Sequence, residues 1–356
     1  MMRAFTYQAH PARVIFGAGA LQQLPAEIDR LGARRALVLC TPGQIATADR
    51  VAVLLGERAA GIFAKAVMHV PIESAREARD EARRLGADCA VAIGGGSTTG
   101  LGKAIALDSG LPIVAVPTTY AGSEMTPIYG ITEDGLKKTG RDARVLPRTV
   151  IYDPELTLGL PFAITVTSAF NAMAHGAEGL YAPDANPVVS LMAAEGIRAS
   201  AAALLPLQND ARDLAARSEA LYGAWLCGMV LGATTMGLHH KLCHTLGGSF
   251  NLPHAELHTV LLPHALAYNA ATAPDALRRF GRALGVGADE VPHALQALAR
   301  RYGAPASLAA LGMPADGLDR AADLAVQNQY ANPRPLDRTS LRALLQRAFD
   351  GAPPQA

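Results

Sequence analysis

AVAIGGGSTTGLGKAIALDSG, residues 90–110, decides the fold. Its first four residues are apolar and suit a buried strand. Three glycines and a serine follow, then a stretch spaced as a helix. A strand that turns through glycine into a helix leaves the amides of Gly95, Gly96 and Ser97 at a helix N-terminus. Such amides bind phosphate through their N–H groups and the helix dipole. Glycine is required because a side chain would hold a pyrophosphate away from the backbone. The spacing is not that of a Walker A loop: Ser97 stands six residues before Lys103, and Ala104 follows it. Nor does 94–99, GGGSTT, read as GxGxxG.

Working outward, short apolar runs recur at RALVLC (35–40), GIFAKAV (61–67), PIVAVPT (112–118) and TVIYDP (149–154). Between them, 44–59 and 73–86 carry apolar stripes at helical spacing with charged faces. Strands alternating with helices give a Rossmann-like parallel sheet covered on both faces. A second polar loop, VPTTYAGSE (116–124), follows the next strand. In such sheets ligands sit at the carboxyl ends of the strands. Thr118 and Thr119 therefore join Gly95, Gly96 and Ser97 as candidate cofactor contacts. Thr41 is added from the end of RALVLC, where no acid is present to repel a 2′-phosphate.

After LTLGLP (156–161) the β-branched runs stop and Ala/Leu-rich helical stretches take over. The expected organisation is an α/β dinucleotide-binding domain over 1–161 and an all-α catalytic and substrate domain over 162–356. A length of 356 residues suits two domains. The chain is 50% hydrophobic and 18% charged, with a net charge of +1. Acids and bases are interspersed, which argues against a nucleic-acid partner. Four cysteines without a CxxC pair fit reduced thiols in the cytoplasm. The N-terminal stretch MMRAFTYQAHPARVIFG lacks the apolar run of a signal peptide. LYGAWLCGMVLGATTMGL (221–238) is uncharged, but its glycines and its continuation into histidines read as a buried helix rather than a membrane span. APPQA (352–356) reads as a frayed tail.

GLHHKLCHTLGGSFNLPHAELHTVLLPH (237–264) holds His239, His240, His244, His254, His258 and His264, from a total of ten histidines. Such crowding serves a metal, proton transfer or an anionic ligand. His10, His69, His264 and His293 read as structural.

GGGS opening a helix, VPTT followed by GSE, DPELT with a nearby LP, and HxxxH followed by PH together resemble the iron-containing alcohol dehydrogenase superfamily, with its dehydroquinate synthase-like fold. The resemblance spans nearly the whole chain. Within the superfamily the chain looks most like the maleylacetate reductases, on GGGSTTGLGKAIAL (94–107), NAMAHGAEGLYAPDANP (171–187), 237–269 and NPRPL (332–336). That branch implies NADH- or NADPH-dependent reduction of the maleylacetate double bond to 3-oxoadipate, in bacterial degradation of aromatic compounds. It also implies a homodimer and a small dicarboxylate substrate, chloromaleylacetate included.

In the metal-dependent members one Asp and three His hold the ion. Carried over by motif, the Asp position is Asn171 and the His positions are His175, His240 and His254. Exchanging a carboxylate for an amide removes the site's negative charge, although three imidazoles alone can hold zinc. The expectation is therefore no metal. The histidines then supply hydrogen-bond donors to an enolate oxygen and a proton for carbon. His244 is the first candidate, one turn beyond His240. His240, His254 and His175 come next, with Lys241 beside them. Asn171, Lys241, His258 and Arg334 are candidate substrate contacts, since cationic and amide groups suit carboxylates. Gly100 stands where metal-dependent members carry an Asp. Alternative readings are a metal-dependent alcohol dehydrogenase acting on a small alcohol or aldehyde, a lyase of the dehydroquinate synthase type, and a nucleotide-binding protein without activity.

Overall fold

The computed structural model describes residues 5–10, 12–133, 136–327 and 329–355. The chain forms two compact units.

The α/β unit comprises 9–160 with 212–221. Its strands are β1 (Arg13–Phe16), β2 (Ala36–Leu39), β3 (Ala59–Phe63), β4 (Cys89–Gly94), β5 (Ile113–Pro117), β6 (Ile128–Glu133), β7 (Leu136–Arg141) and β8 (Thr149–Tyr152). Helices α1 (Leu24–Arg30), α2 (Ile45–Leu55), α3 (Ile72–Arg84) and α4 (Gly96–Ser109) lie between them. Six strands form one parallel sheet in the order β1-β8-β5-β4-β2-β3. Register places Val38 beside Val91 and Val91 beside Val114. Alternation then sends side chains to opposite faces. Val38, Val91 and Val114 join one apolar cluster, and Leu37, Leu39 and Ala90 join another with Leu101 and Ile105 of α4. Burial on both faces explains the near-continuous apolar runs in the sequence. β3 stops at Phe63, short of the run to residue 67. β6 and β7 form a separate antiparallel hairpin. Its turn, 134–135, lies outside the described residues. Lys137 pairs with Thr132 within the ladder, and the Lys138 ammonium meets Glu133 at 2.6 Å.

The helical unit holds α5 (Phe162–Tyr181), α6 (Pro187–Ala202), α7 (Leu204–Asn209), the end of α8 (Leu214–Ala233), α9 (Leu238–Phe250), α10 (His254–Asn269), α11 (Pro274–Leu284), α12 (Val291–Arg301), α13 (Gly317–Ala325) and α14 (Arg338–Asp350). No strand occurs among its described residues. Residues 5–8 cluster with this unit and 212–221 with the other, so the division is not a single cut at 161. Phe170 and Met173 of α5 enter a core with Leu262 and Leu266 of α10. Leu242 and Leu246 of α9 enter a second core with Leu257, Leu261, Leu341 and Leu345.

The uncharged stretch 221–238 is not one helix: α8 and α9 meet at a 95° bend. Separately, Pro187–Asn209 is long and apolar enough for a membrane span by composition, with half of that window buried in the protein. As far as Pro354 the tail is tied down rather than frayed. Gln296 donates to Ala352 O at 2.9 Å, Arg300 donates to Gly351 O, and Pro354 is buried.

His264 is buried on α10, and its Nδ1 has no hydrogen-bond partner. Burial pushes its pKa down to about 4, and the Arg347 cation adds to the shift. Unfolded, the ring titrates near 6.5. Between those values the unfolded chain binds a proton that the native chain refuses, so stability falls as pH drops from 6.5 toward 4. The full contribution is roughly 3 kcal/mol. His264→Gln is expected to flatten the urea midpoint against pH over this window; an unchanged slope would remove His264 as its source.

Candidate functional site

In the α/β unit, the turns after β2, β4 and β5 converge. Thr118 N donates to Gly94 O at 3.0 Å. Gln44 bridges the loops: it donates to Thr118 Oγ1 at 2.8 Å and accepts from Thr41 Oγ1 at 3.1 Å. Thr41, Gly95, Gly96, Ser97, Thr118 and Thr119 are thus gathered at the carboxyl ends of parallel strands, with the first turn of α4 opening at Gly96. Gln44 was missed in the sequence, because a lone polar residue after a strand carries no signal. Gly94 holds φ +150°, and a Cβ there would lie 2.5 Å from Thr98 Oγ1. A Cβ on Gly95 would lie 2.9 Å from Thr119 Oγ1. These glycines are needed for packing against threonines. At Gly100, a Cβ would lie 2.7 Å from Val70 Cγ2, so buried Val70 fills the space beside it.

In the helical unit, α5 presents Asn171, His175 and Glu178 at positions i, i+4 and i+7, on one face. All three are buried. α9 adds His239, His240, Lys241, Cys243 and His244, and α10 adds His254 and His258 in its first turns. The rings of His175 and His240 stack at 5.1 Å. His240 and His258 centroids are 4.9 Å apart, His254 and His258 4.5 Å, and His240 and His244 6.0 Å.

Glu178 organises this cluster. Its Oε2 lies 2.6 Å from His240 Nδ1 and accepts from Gly237 N at 2.9 Å, while Oε1 accepts from His239 N at 2.8 Å. The carboxylate therefore caps the N-terminus of α9, where bare N–H groups and the helix dipole favour an anion. Burial alone would raise this carboxyl, but the hydrogen bond and attraction of His240, with the Gly237 amide, hold it down at about 2. A Cβ on Gly237 would lie 3.1 Å from Glu178 Oε1, which is why the chain is glycine there. Sequence reading missed Glu178. Its one signal was being the lone Asp, Glu, Lys or Arg in twenty residues of apolar helix.

Burial pushes His175 and His258 well below the ordinary imidazole range, and neighbouring rings add to it. His239 is pushed down to about 3, chiefly by burial. These rings are neutral at pH 7, so they act as hydrogen-bonding groups and not as acids. His258 was expected to touch substrate. It is fully buried, with Nδ1 2.8 Å from His239 Nε2 and Nε2 3.2 Å from His254 Nε2. Both nitrogens are used internally, and that expectation is corrected.

His244 is half-buried, and its Nδ1 lies 3.0 Å from Tyr330 OH. Burial, with the Glu178 charge adding, pushes the Tyr330 phenol up, so it keeps its proton. Lys241 stands 5.6 Å from the Tyr330 ring, its ammonium destabilised by burial. Tyr330 was not anticipated, because it lies eighty-six residues from His244 in a loop without periodicity. Arg334 is not brought to the histidines. Its guanidinium sits 4.0 Å over the Tyr268 ring and donates to Tyr268 O at 3.2 Å. Arg338 pairs with Asp319 and Asp323 on the surface.

The donor set accommodates a metal ion. His175 Nδ1 and His240 Nε2 are buried with no hydrogen-bond partner. His240 is backed on its other nitrogen by a carboxylate, the arrangement that orients imidazole ligands. His239, Cys243 and His258 also place donor atoms within 4.8 Å of one another, but His239 and His258 spend theirs on each other.

Residues 11–154 match the model of the family described as iron-containing alcohol dehydrogenase. Residues 165–349 match that of the Fe-containing alcohol dehydrogenase family, C-terminal. The chain is 69% identical to the maleylacetate reductase of Burkholderia cepacia over 353 residues, covering 99% of this chain and 100% of the relative. It is 55% identical to the maleylacetate reductase of Sphingobium indicum over 350 residues, covering 98% and 99%. The crystal structure of maleylacetate reductase from Agrobacterium tumefaciens superimposes with a TM-score of 0.94 at 55% identity, covering 99% of this chain and 100% of that one. These matches overturn one expectation. The absence of a metal was inferred from Asn171, yet the family is described as iron-containing, and two of the three imidazoles, His175 and His240, keep buried nitrogens suited to an ion. With both halves matched and the relatives aligned end to end, the chain belongs to the iron-containing alcohol dehydrogenase family.

Proposed function

We propose that this chain reduces the carbon–carbon double bond of maleylacetate with NADH or NADPH, giving 3-oxoadipate, with chloromaleylacetate as a further substrate. The observation that carries the reading is 69% identity along the full length to a maleylacetate reductase. The clustered imidazoles and the gathered glycine and threonine loops supply chemistry that suits it. Relatives at this identity favour it over oxidation of a small alcohol.

Hydride from the nicotinamide adds to the alkene carbon β to the ketone. The electron pair moves onto the ketone oxygen as an enolate, and a proton returned to the α carbon completes reduction. His175 and His240, with His254 by motif and Asn171 on the face of His175, would hold a divalent ion, which would supply Lewis acidity when bound. The chain's own groups do the rest. His244, held by the hydrogen bond its Nδ1 shares with Tyr330 OH at 3.0 Å, is the group that returns a proton to the α carbon. Lys241, beside Tyr330, attracts a substrate carboxylate. Gly95, Gly96 and Ser97 offer amides to the dinucleotide phosphates. Thr41, Thr118 and Thr119 line the same loops.

The reading carries with it a homodimer in the bacterial cytoplasm, without nucleic-acid or membrane partners. Four free, buried cysteines accord with a reducing compartment.

The test is NADH and NADPH oxidation on adding maleylacetate. Both cofactors are expected to be consumed, NADH the faster. Their kcat/KM values should differ by less than about a thousandfold, because the turn after β2 has no charge to supply the ~4 kcal/mol of a larger preference. Consumption with a small aldehyde but not with maleylacetate would overturn the reading.

A further inference from the structure

Lys103 is fully buried on α4, seven residues beyond Gly96 and so on the same helical face, about 10 Å along the axis. Its ammonium is surrounded by four oxygens: Ser123 O at 2.6 Å, Ile128 O at 2.7 Å, Thr126 O at 2.8 Å and Thr126 Oγ1 at 2.9 Å. Three of these are carbonyls of one short segment, which would be costly to leave buried without donors. Glu124, in the same segment, is also buried and accepts from Tyr152 OH at 2.7 Å. Burial pulls the Lys103 ammonium down to about 7, against the attraction of Glu124.

This segment continues the loop that begins at Thr118. The near end is fixed by the hydrogen bond from Thr118 N to Gly94 O, and Thr119 packs in the space a Gly95 side chain would fill. Lys103 fixes the far end to the same helix that opens at Gly96. An ammonium suits this task because its protons radiate toward carbonyls arriving from different directions, which no planar or neutral side chain of that length reproduces.

We propose that Lys103 is a positioning residue for the cofactor: it ties residues 123–128 to α4 so that Thr118 and Thr119 stand at fixed height against Gly94, Gly95 and Gly96. The inference rests on reading those glycines as the dinucleotide phosphate site. Lys103 does not touch the reacting atoms, so its removal weakens cofactor binding and leaves the chemical step.

The experiment uses the full chain with Lys103→Met, whose stem matches but which donates nothing. NADH binding is titrated directly, and kcat and both KM values are measured, with circular dichroism as the control for folding. The NADH dissociation constant and KM are expected to rise at least about tenfold, while kcat at saturating NADH and the KM for maleylacetate stay within about threefold. Lys103→Gln, which restores part of the donor set, is expected to fall between the two proteins. If Lys103→Met does not fold, Lys103→Gln and Thr126→Val carry the test, each raising the NADH dissociation constant about three- to tenfold. NADH binding unchanged in the folded variants, or a collapse of kcat with binding intact, overturns the proposal. A parent protein that binds NADH but ignores maleylacetate would sink the proposed reaction alone, since the binding titration still reads the clamp. A parent that binds no NADH would sink both.

Discussion

Replacing His244 with alanine lowers kcat for maleylacetate reduction by about 10²–10⁴-fold, while the NADH dissociation constant stays within about twofold. The size follows from the role. Proton delivery to the α carbon is slow without a positioned donor, and a His in hydrogen-bonded reach is worth that range. Of the clustered rings, His175, His239 and His258 are held neutral by burial, whereas His244 is half-buried and hydrogen-bonded to a phenol that orients it. Tyr330→Phe keeps the ring and removes the hydroxyl, so it gives a smaller fall in kcat, about tenfold, than loss of the imidazole itself. Steady-state kinetics against pH checks both. A His244→Ala enzyme with parental kcat would take His244 out of the proton transfer and leave the role to another group.

Glu178→Gln is expected to destabilise the protein by about 3–5 kcal/mol and to lower kcat by about 10–100-fold. The carboxylate accepts from two backbone amides at the start of α9 and meets His240 Nδ1 at 2.6 Å. An amide of the same shape turns two protons toward groups that also donate, and the anion favoured by the helix N-terminus is gone. His240 then loses the partner that sets its tautomer and ring angle. The urea midpoint reports the stability change, with an unchanged slope required, and kcat reports the second effect. Parental stability would mean that the α9 cap is redundant; parental kcat would mean that the orientation of His240 does not matter to the reaction.

Much of this molecule could be read before its structure was known. The alternation of apolar runs with striped helices is a property of single segments, and it gave the parallel sheet and its glycine-opened helix. The helical second half followed from the loss of β-branched runs after 161. Spacing along one helix gave His240 and His244 a common face. The errors share another origin. Arg334 looked like a carboxylate ligand because a guanidinium suits one, but its partner is the Tyr268 ring sixty-six residues away. His258 was a candidate substrate contact from the crowding of histidines, yet packing closes over it. The metal expectation rested on the charge lost at Asn171, a local fact, while the imidazoles that keep their donors are defined by which helices meet.

The sequence by itself therefore determined the elements, their faces and the family, because periodicity and motif spacing are written along the chain. Only the tertiary structure decided the partners: Glu178 for the start of α9, Tyr330 for His244, Gln44 between the loops after β2 and β5, and four oxygens for Lys103. A buried polar group must be satisfied by whatever packing brings beside it. That neighbour is set by contacts between distant elements, for which the linear sequence carries no period.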